Sequence, residues 1–309
     1  MKIRRSFFFG CVLAIFLMLC PMPELNRFLR YGMDLLHAPF FAILAFFFDQ
    51  KRRKHPQGIS GPVLWALLLL LGLLLESVQM WFGRDSNWHD GLSNVLGIFA
   101  GLFISSAQCS TTTVGKLSRH LIALCLIAVA SFHGARGVWD ALEARRVFPQ
   151  LANFESSSEL LRWKAREAKL TRSREHTIEG DFSGRLALSP GRYPGASLEL
   201  PQMTWRGKDS LTFGVTWNPD LSQRQADVSP TLRLHLKLED RGPSELSADR
   251  FETTLLVRPG KNKFRVPIED IRHGPIQRTL DLNEMVLFSI FVTNLEESAL
   301  LFLDDIRLE

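Results

Sequence analysis

The sequence predicts two parts of different fold class: a polytopic α-helical membrane bundle of about five transmembrane helices, followed by an all-β antiparallel sandwich. The long apolar runs lie almost entirely before residue 135, whereas the residues after about 150 alternate between polar and apolar side chains. The four cysteines all fall in or beside the apolar runs, so the β part has no disulfide to staple it. We expect a membrane domain over 1–134, a juxtamembrane linker over 135–150 and an extracytoplasmic β domain over 151–309.

The basic charge of the chain belongs to its membrane half. Residues 1–149 carry a net charge of +7 and residues 150–309 carry −2, which together give the formal +5. A basic excess beside hydrophobic segments sets membrane topology, so it is not evidence for nucleic-acid binding. The sequence also lacks a structural-zinc spacing, and we expect neither a nucleic-acid partner nor a cofactor.

Five apolar segments order the membrane half. The first, Ser6–Cys20, follows a basic N-terminus and lacks a small-residue cleavage site, which favours an uncleaved anchor over a signal peptide. The other four are expected at Met33–Phe48, Pro62–Phe82, Gly91–Ser106 and Leu117–Phe132. Lys and Arg concentrate at the N-terminus, at 51–54 and at 116–119, so these stretches are predicted to be cytoplasmic. This predicts a bacterial inner-membrane protein whose C-terminal domain lies outside the cytoplasm.

Seven polar side chains are predicted to converge at the outer leaflet under this topology. Ionisable groups inside a membrane segment are costly and face a bundle interior, a partner or a water-filled cavity, so the set is the candidate site. Gly97 and Gly101 share a helix stripe with two of its members and form a GxxxG motif that lets a neighbouring helix approach closely. The seven residues are Asp34, His37, Glu76, Gln79, Arg84, Asp90 and Asn94.

These motifs resemble the VanZ-like family of bacterial membrane proteins, whose founding member is associated with low-level resistance to the glycopeptide teicoplanin. The resemblance covers about residues 25–107 and departs at Leu35, where many members have Lys. It implies a membrane fold and a cell-envelope context, and it supplies no reaction. The motifs, in the family's order, are DxxH (Asp34, His37) followed by Phe40 and Phe41, ExxQ (Glu76, Gln79), Arg84, and DxxxNxxGxxxG (Asp90, Asn94, Gly97, Gly101).

Three interpretations of the seven polar residues stay open. Paired charges and hydrogen bonds would simply fix helix packing. A lipid or glycan headgroup would place a phosphate on Arg84 and sugar hydroxyls on the carboxylates and amides. Catalysis would use His37 or Glu76 as general base, with a metal held by Asp90 or by His37, Glu76, His89 and Asp90 together. No recognised catalytic spacing occurs, we expect no metal, and His89 is predicted to be an exposed loop residue.

The C-terminal part predicts about eight strands in a two-sheet antiparallel sandwich. Residues 135–150 precede it as a helical linker or a short amphipathic helix on the membrane surface. Thr231–Glu239 alternates strictly, with four leucines on one face and Arg233, His235 and Lys237 on the other. Pro-Gly, Asn-Pro and Gly-Pro dipeptides punctuate the pattern. Further strands are expected at 211–217, 251–257, 261–266, 286–292 and 300–308.

The order of these details resembles galactose-binding-like jelly rolls, the fold of many carbohydrate-binding modules. The resemblance implies a polysaccharide ligand and puts Asp304 and Asp305 where such modules often hold a structural calcium. Arg233, His235 and Lys237 are candidates for a sugar face, although a solvated sheet face predicts the same residues. The strand aromatics are expected mostly on the apolar face. The resemblance rests on residues 153–155, 160–163, 193–195, 249–251, 259–262 and 303–308, and on Trp205.

Two functions follow as expectations. In the first, the protein is a non-enzymatic envelope binding module with membrane lipid and an envelope polysaccharide or lipid-linked glycan as partners. In the second, the bundle is a membrane enzyme or transporter that acts on a lipid-carried glycan or phospholipid headgroup.

Overall fold

The computed structural model describes residues 27–55, 58–81, 88–219, 231–242 and 247–309. Over these residues the chain separates into two compact units, Met1–Val138 and Trp139–Glu309, of which the first is helical and the second is mainly β. The predicted first segment, Ser6–Cys20, and the candidate Arg84 lie outside the described residues.

The described residues of the N-terminal unit contain five helices, and the last of them extends past Val138. Four helical stretches, Arg27–Lys54, Gly61–Gln79, Trp88–Gln108 and Thr113–Arg146, are long and apolar enough to cross a membrane. The described residues therefore contain four candidate spans rather than the five predicted for the whole chain. The helices are α1 (Arg27–Asp34), α2 (His37–Lys54), α3 (Gly61–Trp81), α4 (Trp88–Gln108) and α5 (Thr113–Arg146).

Helices α2 and α4 pack almost backbone to backbone. A Cβ at Gly97 would meet the main chain of Ala38, and one at Gly101 would meet the carbonyl of Ala42. Small residues on both helices allow this approach, as the predicted glycine stripe requires. Phe41 and Ile98, both buried, belong to the apolar core beside this contact.

The outward faces of the helices are strongly apolar. Leu70, Leu73 and Leu124 are each more than 60% exposed, and only 22% of the span windows of α3 and α5 is buried inside the protein. Leucines presented in such numbers to water would cost free energy, whereas the hydrocarbon core of a membrane accepts them. The 21 residues of α3 give a length of about 31 Å, which matches a hydrocarbon core of about 30 Å.

Helix α5 does not stop where the apolar run ends. Its predicted span ended at Phe132, and a helical linker or a surface helix was expected over 135–150; the structure has one continuous helix to Arg146. Two glycines of this helix lie where it packs closely on the chain before α2. A Cβ at Gly134 would come within 3.0 Å of Leu35, and one at Gly137 would collide with the Tyr31 ring.

The C-terminal unit is an antiparallel β sandwich of eleven strands within the described residues. The six-stranded sheet has the order β3-β4-β11-β6-β9, with β1 beside the second half of β11, and the five-stranded sheet has the order β2-β5-β10-β7-β8. A short helix, α6 (Ile268–Arg272), follows β9. The strands are β1 (Gln150–Ala152), β2 (Trp163–Arg166), β3 (Ala168–Ser173), β4 (Ser183–Leu188), β5 (Gly195–Glu199), β6 (Ser210–Trp217), β7 (Leu232–Asp240), β8 (Phe251–Val257), β9 (Gly260–Pro267), β10 (Met285–Phe291) and β11 (Ala299–Leu308).

The core lies between the two sheets and follows the alternation read from the sequence. Leu234, Leu236 and Leu238 of β7 are fully buried, and their polar neighbours point to the other face. Phe288 and Ile290 of β10 pair with these leucines in register and point into the same core. The opposite face of the five-stranded sheet is therefore built from the odd-numbered residues of β5 and β7 and from Leu287, Ser289 and Phe291 of β10; Met285 lies in the core because the register shifts after it.

Candidate functional site

Polar side chains of α2, α3 and α4 meet inside the bundle. Nδ1 of His37 lies 2.9 Å from Oδ1 of Asn94, and Nδ2 of Asn94 donates to Oε1 of Glu76 at 2.9 Å. Because the Asn94 amide gives its N–H to a carboxylate, its oxygen faces His37 and accepts from Nδ1–H. This chain fixes the imidazole tautomer and leaves Nε2 as the acceptor or ligand atom.

Two further acids lie beside His37. Asp34, His37 and Asp90 each offer one ligand atom, and the three atoms lie within 4.8 Å of one another. His37 and Asp90 are buried, and Asp34 is half-buried. Two carboxylates and one imidazole are a donor set that takes a divalent cation, and the same set can pass a proton. The alternative metal set considered from the sequence was His37, Glu76, His89 and Asp90, so it did not include Asp34.

The structure thus brings together five of the seven predicted residues: Asp34, His37, Glu76, Asp90 and Asn94. Gln79 is also buried, three residues beyond Glu76 on α3. His89 is not in a loop: it belongs to the first turn of α4, and its ring stacks on His133 of α5 at 4.0 Å. Whether the group engages a ligand stays a prediction.

A second buried acid was not anticipated from the sequence. Asp49, near the end of α2, is 1% exposed and accepts hydrogen bonds from Ser105 at 2.6 Å and Arg53 at 2.7 Å. Arg52 also pairs with it at 2.8 Å. The sequence pattern that could have predicted these ion pairs is an acid three and four residues before two arginines on one helix. Its partners satisfy it, so it fixes the end of α2 against α4.

The proposed calcium residues are engaged by protein donors. Asp304 is fully buried and accepts backbone N–H bonds from Ile178 at 2.5 Å, Glu179 at 3.0 Å and Asp305 at 2.7 Å. Burial raises the pKa of its carboxyl despite these bonds. Asp305 pairs with Arg307 at 2.5 Å. These contacts favour a structural role, and calcium binding by the pair stays a prediction from sequence.

The outer face of the five-stranded sheet carries a groove of about 290 Å³. Its lining comes from β2, β5 and β10, from β7 and from the residue just before β8, so it crosses the whole sheet. Ser197 and Ser289 face each other in register at its centre, and their hydroxyls are 2.8 Å apart. We call this feature the groove.

Two aromatic rings stand at one side of the groove. Tyr193, 37% exposed, lies edge-on to Phe291 with 6.1 Å between the ring centroids. Phe291 in turn stacks on the imidazole of His235, 5.1 Å away. Gly195 lies beside Phe291 in the sheet, and a Cβ there would contact the Phe291 backbone. An apolar surface backed by a rigid ring and bordered by hydroxyls suits a ligand with both apolar and polar faces.

Sequence analysis identified only part of this surface. Lys237 lines the groove and His235 supports it through Phe291, whereas Arg233 is exposed outside the lining. Tyr193 and Phe291 were missed, because the aromatics were expected on the apolar face. The alternation of side chains along β10 could have predicted the position of Phe291: Phe288 and Ile290 point inward, so Phe291 points outward.

A larger cavity of about 600 Å³ lies among the loops of the sandwich. Its lining includes Arg206, Lys208 and Arg272 together with Asp209, Glu269 and Asp281. Among the described residues that line it the charges are balanced and none is aromatic, so it gives less indication of a ligand than the groove does.

No protein-family model matches the chain, and no curated protein matches it. Solved structures are similar over 52% of the chain, in its C-terminal part. An exo-β-agarase has a TM-score of 0.40 at 13% identity, and the chain covers only 24% of its length. A family 11 carbohydrate-binding module from Clostridium thermocellum, in complex with a β-1,3-1,4-mixed-linked tetrasaccharide, has a TM-score of 0.37 at 16% identity with 93% of its length covered. The CBM22-1 xylan-binding domain of Paenibacillus barcinonensis Xyn10C has a TM-score of 0.34 at 18% identity, also with 93% of its length covered. These resemblances are distant.

Proposed function

We propose that this chain is an integral membrane protein of the bacterial cell envelope that binds a glycan through the groove. In this proposal the helices, five with Ser6–Cys20 included, anchor the protein with its N-terminus in the cytoplasm and its sandwich outside. The polar residues around His37 and Asn94 would contact a lipid or the lipid-linked end of a glycan. The resemblance to the VanZ-like family belongs to the same proposal.

The groove is the observation that carries the glycan proposal. A pyranose ring has apolar C–H faces and an equatorial rim of hydroxyls. The Tyr193 and Phe291 rings offer a surface for the faces, and the half-buried Ser197, whose hydroxyl accepts from the buried Ser289, offers a hydroxyl group for the rim. Tyr193, Phe291 and Ser197 are at least partly exposed to water in the groove, where a ligand can reach them.

The test is glycan binding by the full chain in detergent, on an array of neutral and acidic envelope polysaccharides with and without calcium. We expect binding by the wild-type chain and a loss of about tenfold or more for Phe291→Ala and Tyr193→Ala, as for central aromatic contacts in other interfaces. Leu256→Ala is the matched control, because Leu256 is 58% exposed on the same sheet and does not line the groove.

Binding that is equally weak in all three variants would show that truncation destabilises the domain, and thermal unfolding of each variant would detect this. Absence of binding by the wild-type chain to every glycan would refute the proposal.

A second function, a membrane enzyme or transporter for a lipid-carried glycan, is favoured by the buried arrangement of His37, Asn94 and Glu76. Neutralising Glu76 and Asp90, as Glu76→Gln and Asp90→Asn, separates the two. Turnover or transport lost at unchanged thermal stability and unchanged glycan binding would establish the second function. Unfolding of the bundle would assign the residues to packing.

A further inference from the structure

The groove is lined by cations and by no acid. Lys164, Arg166, Lys237 and Arg250 all contribute to it, whereas none of the described residues that line it is Asp or Glu. Four cations around a groove of about 290 Å³ create a local positive potential, which concentrates anions before they bind.

Two of these cations are neutralised by neighbours on the same sheet. Lys237 Nζ lies 2.8 Å from Glu239, and the Arg250 guanidinium lies 3.1 Å from Glu252 and 3.9 Å from Glu239. The side chains of these ion pairs are partly buried, and each positive charge is balanced by a neighbouring carboxylate. They contribute little net attraction for a ligand.

Arg166 is differently placed, and so is Arg192 on the turn before β5. The guanidinium of Arg166 lies 5.9 Å from the centre of the Tyr193 ring, and that of Arg192 lies 5.2 Å from the same ring. Within the part of the chain that the structure describes, neither guanidinium has a carboxylate at ion-pair distance. Two exposed guanidiniums therefore flank the one exposed ring of the groove.

The sheet leaves room for a ligand between these groups. Arg166 pairs in register with Gly195, and Gly195 pairs with Phe291. A Cβ at Gly195 would collide with the Ile290 carbonyl and with Cβ of Phe291, so the free space beside these residues is that of the groove, which Arg166, Tyr193 and Phe291 all line. A sugar ring stacked on Tyr193 would hold a substituent within reach of both guanidiniums.

We infer that the groove selects an acidic glycan, whose anionic groups are received by Arg166 and Arg192 beside the Tyr193 ring. This inference rests on the proposed function and adds the chemical class of the glycan. A guanidinium presents paired N–H donors to the two oxygens of a carboxylate or a sulfate, and both groups occur on acidic polysaccharides. Uronates and sulfate esters are therefore the two sources of the same recognition.

The experiment compares matched polymers on the full chain in detergent by isothermal titration. Polygalacturonate is paired with its fully methyl-esterified form, and a sulfated galactan with its desulfated form, so that each pair differs only in charge. We expect each acidic polymer to bind about tenfold more tightly than its neutral partner, which corresponds to about 1.4 kcal/mol. The arm with the larger ratio identifies carboxylate or sulfate as the preferred group.

The variant Arg166→Gln/Arg192→Gln should bind the acidic and neutral members of a pair equally. Arg258→Gln is the control, because Arg258 is an exposed arginine of the same domain outside the groove. It should retain the full acidic preference.

Each of the remaining outcomes of these binding experiments refutes a different part of the inference. Equal wild-type affinity for acidic and neutral polymers refutes the acidic class and leaves glycan binding intact. An acidic preference that survives the double variant, or one that Arg258→Gln reduces as much, refutes the assignment to Arg166 and Arg192. No binding to any polymer refutes the proposed function itself.

Discussion

Arg162 binds Asp140 in a buried ion pair, with 3.2 Å between Nε and a carboxylate oxygen. Both side chains are at most 5% exposed. Asp140 belongs to the last two turns of α5, and Arg162 directly precedes β2. Arg162 also donates to the Leu151 carbonyl at 2.7 Å and lies 3.5 Å from Glu159. A buried ion pair therefore holds the C-terminal end of α5 in the same unit as the sandwich.

We predict that Asp140→Ala destabilises the C-terminal unit by about 1–3 kcal/mol, because it removes one of the two carboxylates that balance the buried Arg162 guanidinium. Thermal or denaturant unfolding of the full chain in detergent measures this. Glu143→Ala, on the same helix, removes a 3.8 Å contact with Arg146, whose side chain is 81% exposed, and should change stability by less than about 0.5 kcal/mol. Similar losses for the two variants would contradict the role of the buried pair.

Asp240 gives the sandwich a predictable dependence on pH. Burial alone would raise the pKa of its carboxyl, but hydrogen bonds from Arg278 and from the Asp281 backbone hold that pKa below the usual value of 3.8. A lowered folded-state pKa stabilises the protein above the unfolded-state value, and this contribution is lost as the pH falls through the folded-state pKa. We expect Asp240→Asn to lower the unfolding free energy by about 3 kcal/mol at pH 7.

The difference between Asp240→Asn and the wild type should shrink as the pH falls below 3.8 toward the folded-state pKa, since the unfolded chain takes up the proton first and the folded carboxyl follows. Unfolding curves at pH 7, 5 and 3 test this. A difference that stays constant across the series would mean that the carboxylate charge is not what stabilises the site.

The contact between α2 and α4 predicts a sharp size limit at two glycines. Gly97→Ala and Gly101→Ala would each force the helices apart, at a cost of about 1–3 kcal/mol for an overpacked interface. Gly91→Ala on the same helix has nothing within 4 Å of the new Cβ and should be neutral or slightly stabilising through helix propensity. The melting temperatures of the three variants in detergent test this prediction, and equal melting temperatures would contradict the close packing of α2 on α4.

The proposed topology predicts which thiols an impermeant reagent reaches. In cells that carry otherwise cysteine-free variants, Trp88→Cys at the start of α4 and Leu256→Cys in the sandwich should label from outside. Cys109, which is exposed just beyond the other end of α4, should label only after the membrane is permeabilised. Labelling of Cys109 from outside in intact cells would reverse the orientation.

The sequence predicted the elements whose patterns are long and regular. The bounds of β8 agree with the prediction, and β7 differs by one residue at each end. The strands before residue 200 were largely missed, because short strands such as Ala168–Ser173 lack an apolar alternation. Among the described residues eleven strands occur, where about eight were expected.

The two sites differed in how far they could be predicted. The residues around His37 were found because polar groups in apolar segments are conspicuous and helix spacing fixes their face. The groove was not, because Phe291 lies between Ile290 and Val292, and only the register of β10 decides which of these face water. Tyr193 comes from a turn, and its place against Phe291 depends on tertiary structure alone.

The groove crosses all five strands of its sheet, from Lys164 on β2 to Arg250 before β8. Strands lie about 4.8 Å apart, so this path is about 19 Å long. Such a length holds several consecutive sugar units, and affinity should rise with oligosaccharide length until the path is filled and then level off. A glycan polymer longer than the path has many overlapping binding positions for one protein molecule and separate positions for several molecules. Under the proposed function, one polymer chain would therefore gather many copies of the protein in the plane of the membrane.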